Sequence, residues 1–163
     1  MASLEWDNLP DNQKKVIEKH QTKFPIPVGA IAKELGIMVK KSTLPAGISG
    51  EIKEINGVCL VRVNRHDVKA RQRFTLAHEI AHFLLHRDRL RGGITDDVLY
   101  RSSLSDVLEA QANRLGADII MPFHLIRASQ SFKSDLKKEA QCEAIAEEAQ
   151  VSPTAIKIRL GII

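Results

Sequence analysis

A chain of 163 residues with a net charge of +4, 44% hydrophobic and 4% aromatic residues is long enough for one compact domain whose core is built from Ile, Leu, Val and Ala. No apolar run approaches the ~20 residues of a membrane span, and no basic-then-apolar signal opens the chain, so a cytoplasmic protein is expected. Cys59 and Cys142 lie outside any Cys-x-x-Cys pair and read as reduced, packed thiols rather than as a disulfide framework or a thiolate metal site. In chain order, the pattern predicts a helix over Asn12–Lys23, closed by Phe24-Pro25-Ile26-Pro27, and a short helix over Val28–Leu35 stopped by Gly36. Ile37–Lys40, Ile48–Ile55 and Val58–Asn64 are strand-like, and Asn56-Gly57 between the last two is a hairpin signal because both turn positions need positive φ. A sheet of about three strands therefore precedes a helical stretch over Val68–His86. Arg87–Ser105 is polar and too long for a tight connection, which marks it as a functional or mobile loop. Helix resumes at Asp106–Ile120, stops at Met121-Pro122, and two or three helical segments follow.

The chemistry is concentrated in His78-Glu79-Ile80-Ala81-His82. Residues four apart on a helix lie ~6 Å apart along the axis and ~40° apart around it, so His78 and His82 can converge on one metal ion. Glu79 is rotated out of that fork. It is placed instead to take a proton from a water held by the metal and pass it to a leaving amine. A catalytic zinc needs a third protein ligand and an open position. His86 continues the series but lies ~12 Å along the axis from His78, which leaves it as a cleft or supporting residue. Asp88 would need a glycine turn where Leu85 stands, a residue that favours continued helix. Glu109 is the best candidate: it begins Glu109-Ala110-Gln111-Ala112-Asn113, where the alanines permit close helix approach and Asn113 can hold a ligand histidine's second nitrogen.

The runs Arg73-Phe74-Thr75-Leu76-Ala77-His78-Glu79-Ile80-Ala81-His82-Phe83-Leu84-Leu85-His86 and Glu109-Ala110-Gln111-Ala112-Asn113-Arg114-Leu115-Gly116-Ala117-Asp118-Ile119-Ile120-Met121-Pro122 resemble the signatures of the ImmA/IrrE metallopeptidases. The resemblance covers roughly residues 26 to 128. It implies an α+β, zincin-like fold, mostly helical, with a small sheet beside the active-site helix. It implies a peptidase domain over 1–130 and a helical extension over 131–163. By position it makes His78, His82 and Glu109 the zinc ligands and Glu79 the general base. It implies cleavage or inactivation of a helix-turn-helix repressor, often co-encoded, and an edge strand that binds an extended peptide. Gly116 departs from the family, whose members more often carry a bulkier residue there, and is expected to loosen local helix packing. Tyr100, His124 and Arg101 are candidates for stabilising an oxyanion.

Ile145–Leu160 resembles a helix-turn-helix, with Val151 in the turn, Ser152 as N-cap, Pro153 at the first helical position and Gln150 where glycine is usual. Thr154, Lys157 and Arg159 would face DNA, a thin set for base readout, and Glu143, Glu147 and Glu148 would repel phosphates. The leading expectation is thus a zinc metalloendopeptidase acting on a repressor-type protein, with manganese or iron as alternative metals. The alternatives are a non-catalytic zinc-containing regulator of toxin–antitoxin type, and a DNA-binding regulator using the C-terminal helices.

Overall fold

A computed structural model describes residues 1–163. Helices α1 (Leu4–Asp7), α2 (Asp11–Lys19) and α3 (Val28–Glu34) lead into strand β1 (Met38–Ser42) and the hairpin β2 (Ile48–Ile55) and β3 (Val58–Asn64). The long helix α4 (Lys69–Leu85) follows, then a 3-10 turn at Arg87–Arg89, strand β4 (Ile94–Asp97), and helices α5 (Asp106–Ile120), α6 (Phe123–Ala128), α7 (Lys138–Ala149) and α8 (Pro153–Arg159). The architecture is α+β, as expected. Asn56 and Gly57 take the positive φ values of 52° and 79° that their hairpin requires. One count changes: the sheet has four strands, in the order β1-β3-β2-β4. The fourth comes out of the stretch that reads as loop in the sequence.

β3 pairs parallel with β1 and antiparallel with β2, and β4 pairs antiparallel with the other side of β2. Along β3, Cys59, Val61 and Val63 alternate inward and are buried, while Arg62 on the outer face pairs with Glu51 of β2. This one-sided pattern is that of a sheet with one face in water. The inner face lies on α4, whose residues Thr75 to Phe83 are all buried. A helix buried all round is covered on both sides: the sheet covers one, α5 the other.

Two glycines set how closely these layers approach. A Cβ on Gly50 of β2 would stand 2.5 Å from Thr75 Cγ2 and 3.0 Å from a Glu79 oxygen. A Cβ on Gly116 of α5 would stand 3.2 Å from the backbone nitrogen of His78. The expected loosening at Gly116 is therefore reversed, because the missing side chain lets α5 press directly on the α4 backbone. Gly50→Ala overpacks a buried contact and should destabilise the protein by about 1–3 kcal/mol, read as a lower denaturant midpoint at unchanged slope.

The C-terminal helices share the same core. Cys142, Ile145, Ala149, Val151 and Ile156 belong to one buried cluster with Ile80 and Leu115, and Arg73 of α4 donates to the Gln150 carbonyl at 3.2 Å. Gln150 ends α7 in the left-handed region at φ 56°. Glycine adopts that conformation without steric cost, so Gln150→Gly should stabilise the protein by about 0.5–1 kcal/mol, measurable as a higher Tm.

Candidate metal centre

α4 presents His78, Glu79 and His82 from its buried C-terminal half, and α5 brings Glu109 from its first turn, after the N-cap Ser105. Glu109 Oε1 lies 3.1 Å from His78 Nε2 and 3.3 Å from His82 Nε2. The fourth member is Asp96 of β4, whose Oδ2 is 3.5 Å and 3.6 Å from the same two nitrogens. One donor atom from each of these four buried residues lies within 4.8 Å of the others. Asp96 is absent from the sequence reading because its segment lacks the strand alternation and flanking signals of β2 and β3. In the structure buried Ile94 and Asp96 alternate with exposed Thr95.

The outer nitrogens of the histidines are held so that Nε2 faces the cluster. His78 Nδ1 lies 2.9 Å from Asn113 Oδ1, donating to it when Nε2 is bare. His82 Nδ1 lies 2.9 Å from His86 Nδ1, and His86 Nε2 lies 3.0 Å from Gln111 Oε1. With His82 Nδ1 and His86 Nε2 each donating, the chain His82–His86–Gln111 fixes one tautomer throughout and leaves His82 Nε2 free for a metal. Burial keeps His86 below the usual histidine range and thus neutral, as this relay needs. His86, too far along α4 to share an ion with His78, holds the His82 ring instead.

The charges fit a cation. Burial raises Glu79, and the facing Asp96 carboxylate raises it further, well above the usual carboxylate range. Burial also opposes ionisation of Asp96, but His78 and His82 outweigh it and hold Asp96 well below that range. Burial lowers His78, yet Asp96 and Glu109 outweigh it and lift the imidazole to about 9. For Glu109 the burial penalty is outweighed by His78, His82 and Ser102, whose hydroxyl donates to it. Both oxygens of Glu79 and of Asp96, and Nε2 of His82, are buried without a hydrogen-bond partner. Orphaned polar atoms are costly in a protein interior. Two imidazoles and carboxylates so arranged are the donor set of a zinc, manganese or iron ion.

The other sequence candidates lie elsewhere. The Tyr100 ring stands 5.0 Å from that of His78, but its hydroxyl is bonded to Thr75 Oγ1 at 3.1 Å. Tyr100 thus walls the back of the centre. His124 is bonded to the Gln21 carbonyl at 2.8 Å, apart from the cluster. Arg101 pairs with Asp97, and Asp88 is 79% exposed on the 3-10 turn. A cavity of about 770 Å³ lined by Phe74, Leu99, Tyr100, Ala117 and Ile158 touches Asn113 but none of the four metal donors. At the C-terminus α7 and α8 form the expected helical pair, with Ser152 capping α8. Arg159 turns inward to Asp118 at 2.9 Å and over the Phe123 ring, and Lys157 pairs with Glu139 at 2.5 Å. Neither side chain is free for phosphate. No helix is long and apolar enough to cross a membrane.

Comparison with solved structures finds a Mycobacterium tuberculosis transcriptional regulator with a TM-score of 0.61 at 15% identity, over 98% of this chain and 47% of that one. The chain thus spans about half the length of that neighbour, and the likeness is one of fold. No curated protein matches the sequence. The sequence model of the peptidase M78 family, described as the IrrE N-terminal-like domain, matches residues 32–161, a span that holds all four metal donors and Glu79. With that match over most of its length and a buried metal-donor group at its centre, the chain belongs to the peptidase M78 (IrrE N-terminal-like) family.

Proposed function

We propose that this protein is a zinc-dependent endopeptidase that cuts a helix-turn-helix repressor encoded beside it. The observation that carries the reading is Glu79, fully buried next to the His78–His82–Glu109 group with neither oxygen hydrogen-bonded. A carboxylate kept in such a place at a folding cost is kept for chemistry. When bound, the ion supplies the Lewis acidity that polarises a carbonyl and brings a water's pKa towards neutral. His78, His82 and Glu109 hold it, and Asn113 and His86 fix the two rings. Glu79 takes the proton of the attacking water and returns it to the amide nitrogen that leaves.

The test is incubation of the zinc-loaded protein with the purified repressor from the adjacent gene. Two fragments are expected on a gel, and none after chelation. A repressor that stays intact while its DNA is released would favour the second reading, a non-catalytic regulator. One specific observation supports that alternative: four protein donors make a closed site, and closed sites are structural.

A further inference from the structure

Hydrolysis needs room for a water and a carbonyl oxygen, and three of the four donors are fixed. His78 and His82 sit in the buried C-terminal half of the 17-residue α4, and Glu109 sits in the first turn of the 15-residue α5, which packs on it. Asp96 is held differently. Its strand has four residues and pairs only with β2. The register passes from Ile48↔Asp97 to Gly50↔Asp96, so Ser49 bulges out and Asp96 comes opposite Gly50. A Cβ on that glycine would stand 3.0 Å from a Glu79 oxygen. β4 follows Gly92-Gly93, with Gly93 at φ 77°, and leads into a turn where Tyr100 takes φ 54°. A short edge strand flanked by such connections opens at lower cost than two long helices packed against each other.

Resting on the peptidase reading above, we propose that Asp96 is a displaceable fourth ligand of the metal. β4 holds its carboxylate in the position that water and substrate need, so the site stays filled until an incoming substrate displaces this strand from β2. Asp96 is wholly buried with both oxygens unpartnered and aimed among the other donors. The β2 edge that an extended peptide would use is the edge β4 already occupies. A displaceable ligand of this kind accounts for a closed donor set and an intact Glu79 in one molecule.

The experiment loads the wild-type protein, Asp96→Ala and the surface control Asp88→Ala with cobalt(II). Metal affinity is measured by chelator competition, and each protein is titrated with acetohydroxamate while the visible absorption is followed. In Asp96→Ala, metal affinity should fall by at least about tenfold, and hydroxamate should shift the cobalt bands at concentrations that leave the wild type and Asp88→Ala unmoved. Equal metal affinity in Asp96→Ala and wild type, or hydroxamate binding to both at the same concentration, overturns the proposal. Should Asp96→Ala not take up cobalt, the wild-type titration decides alone: ready hydroxamate binding refutes a filled fourth position, and none upholds it. Cleavage of the repressor does not enter these readouts. A repressor left uncut by both proteins counts against the peptidase reading and leaves the ligand assignment to the spectra.

Discussion

Glu79→Gln should keep its metal and lose at least about a hundredfold in the rate of peptide cleavage. The carboxylate is not among the four converging donors, so an isosteric amide leaves their geometry in place and removes only the proton acceptor. The same substitution should raise the stability of the metal-free protein. Glu79 is buried beside Asp96 and has no hydrogen bond to offset its charge. Because burial raises its pKa in the folded state, the folded protein binds the proton more tightly than the unfolded chain does. The stability this proton provides is fully present below the ordinary carboxylate range and is lost as pH rises above that range through the raised folded-state pKa. The gap between Glu79→Gln and wild type should therefore widen with rising pH, which thermal melts at pH 4 to pH 7 would measure (roughly the window in which a shifted carboxylate titrates). A variant that gains stability while losing activity is the trade expected of a functional group held at a folding cost.

Glu109→Ala should weaken metal binding by more than about 100-fold, the upper end of what removing an outer partner of a ligand costs. Glu109 Oε1 is the donor nearest both histidines, at 3.1 Å and 3.3 Å from their Nε2 atoms. Its removal leaves His78 and His82 facing Asp96 alone from farther off. His86→Ala breaks only the relay that sets the His82 tautomer, and its loss should stay within about 10–100-fold. Metal competition titrations on the two variants rank them, and the reverse order would contradict Glu109 as a ligand.

The parts of this site that were legible in the sequence are those carried by helical periodicity. The His78–His82 fork, Glu79 beside it, and Glu109 with Asn113 one turn on are all set by the 3.6-residue repeat. The hairpin of β2 and β3 was legible because Asn56-Gly57 demands one turn geometry. Asp96 was not, because β4 is a strand only by virtue of its pairing with β2. Four residues between Gly92-Gly93 and a charged turn carry little propensity of their own, and tertiary pairing decides them. The role of Gly116 is hidden for a related reason: a helical glycine costs propensity locally, and its value appears only with the backbone of His78 against it. His86 could be excluded as a ligand from helix geometry, but its bond to Gln111 depends on where α5 crosses α4.

The most direct test of a hydrolytic metal centre is the intact mass of the repressor after incubation with the zinc-loaded protein. The account predicts two products whose masses sum to that of the parent plus one water, formed by the wild type, absent with Glu79→Gln and absent after chelation. A parent mass left unchanged by the metal-loaded wild type and by Asp96→Ala, or fragments formed equally by Glu79→Gln, would contradict it.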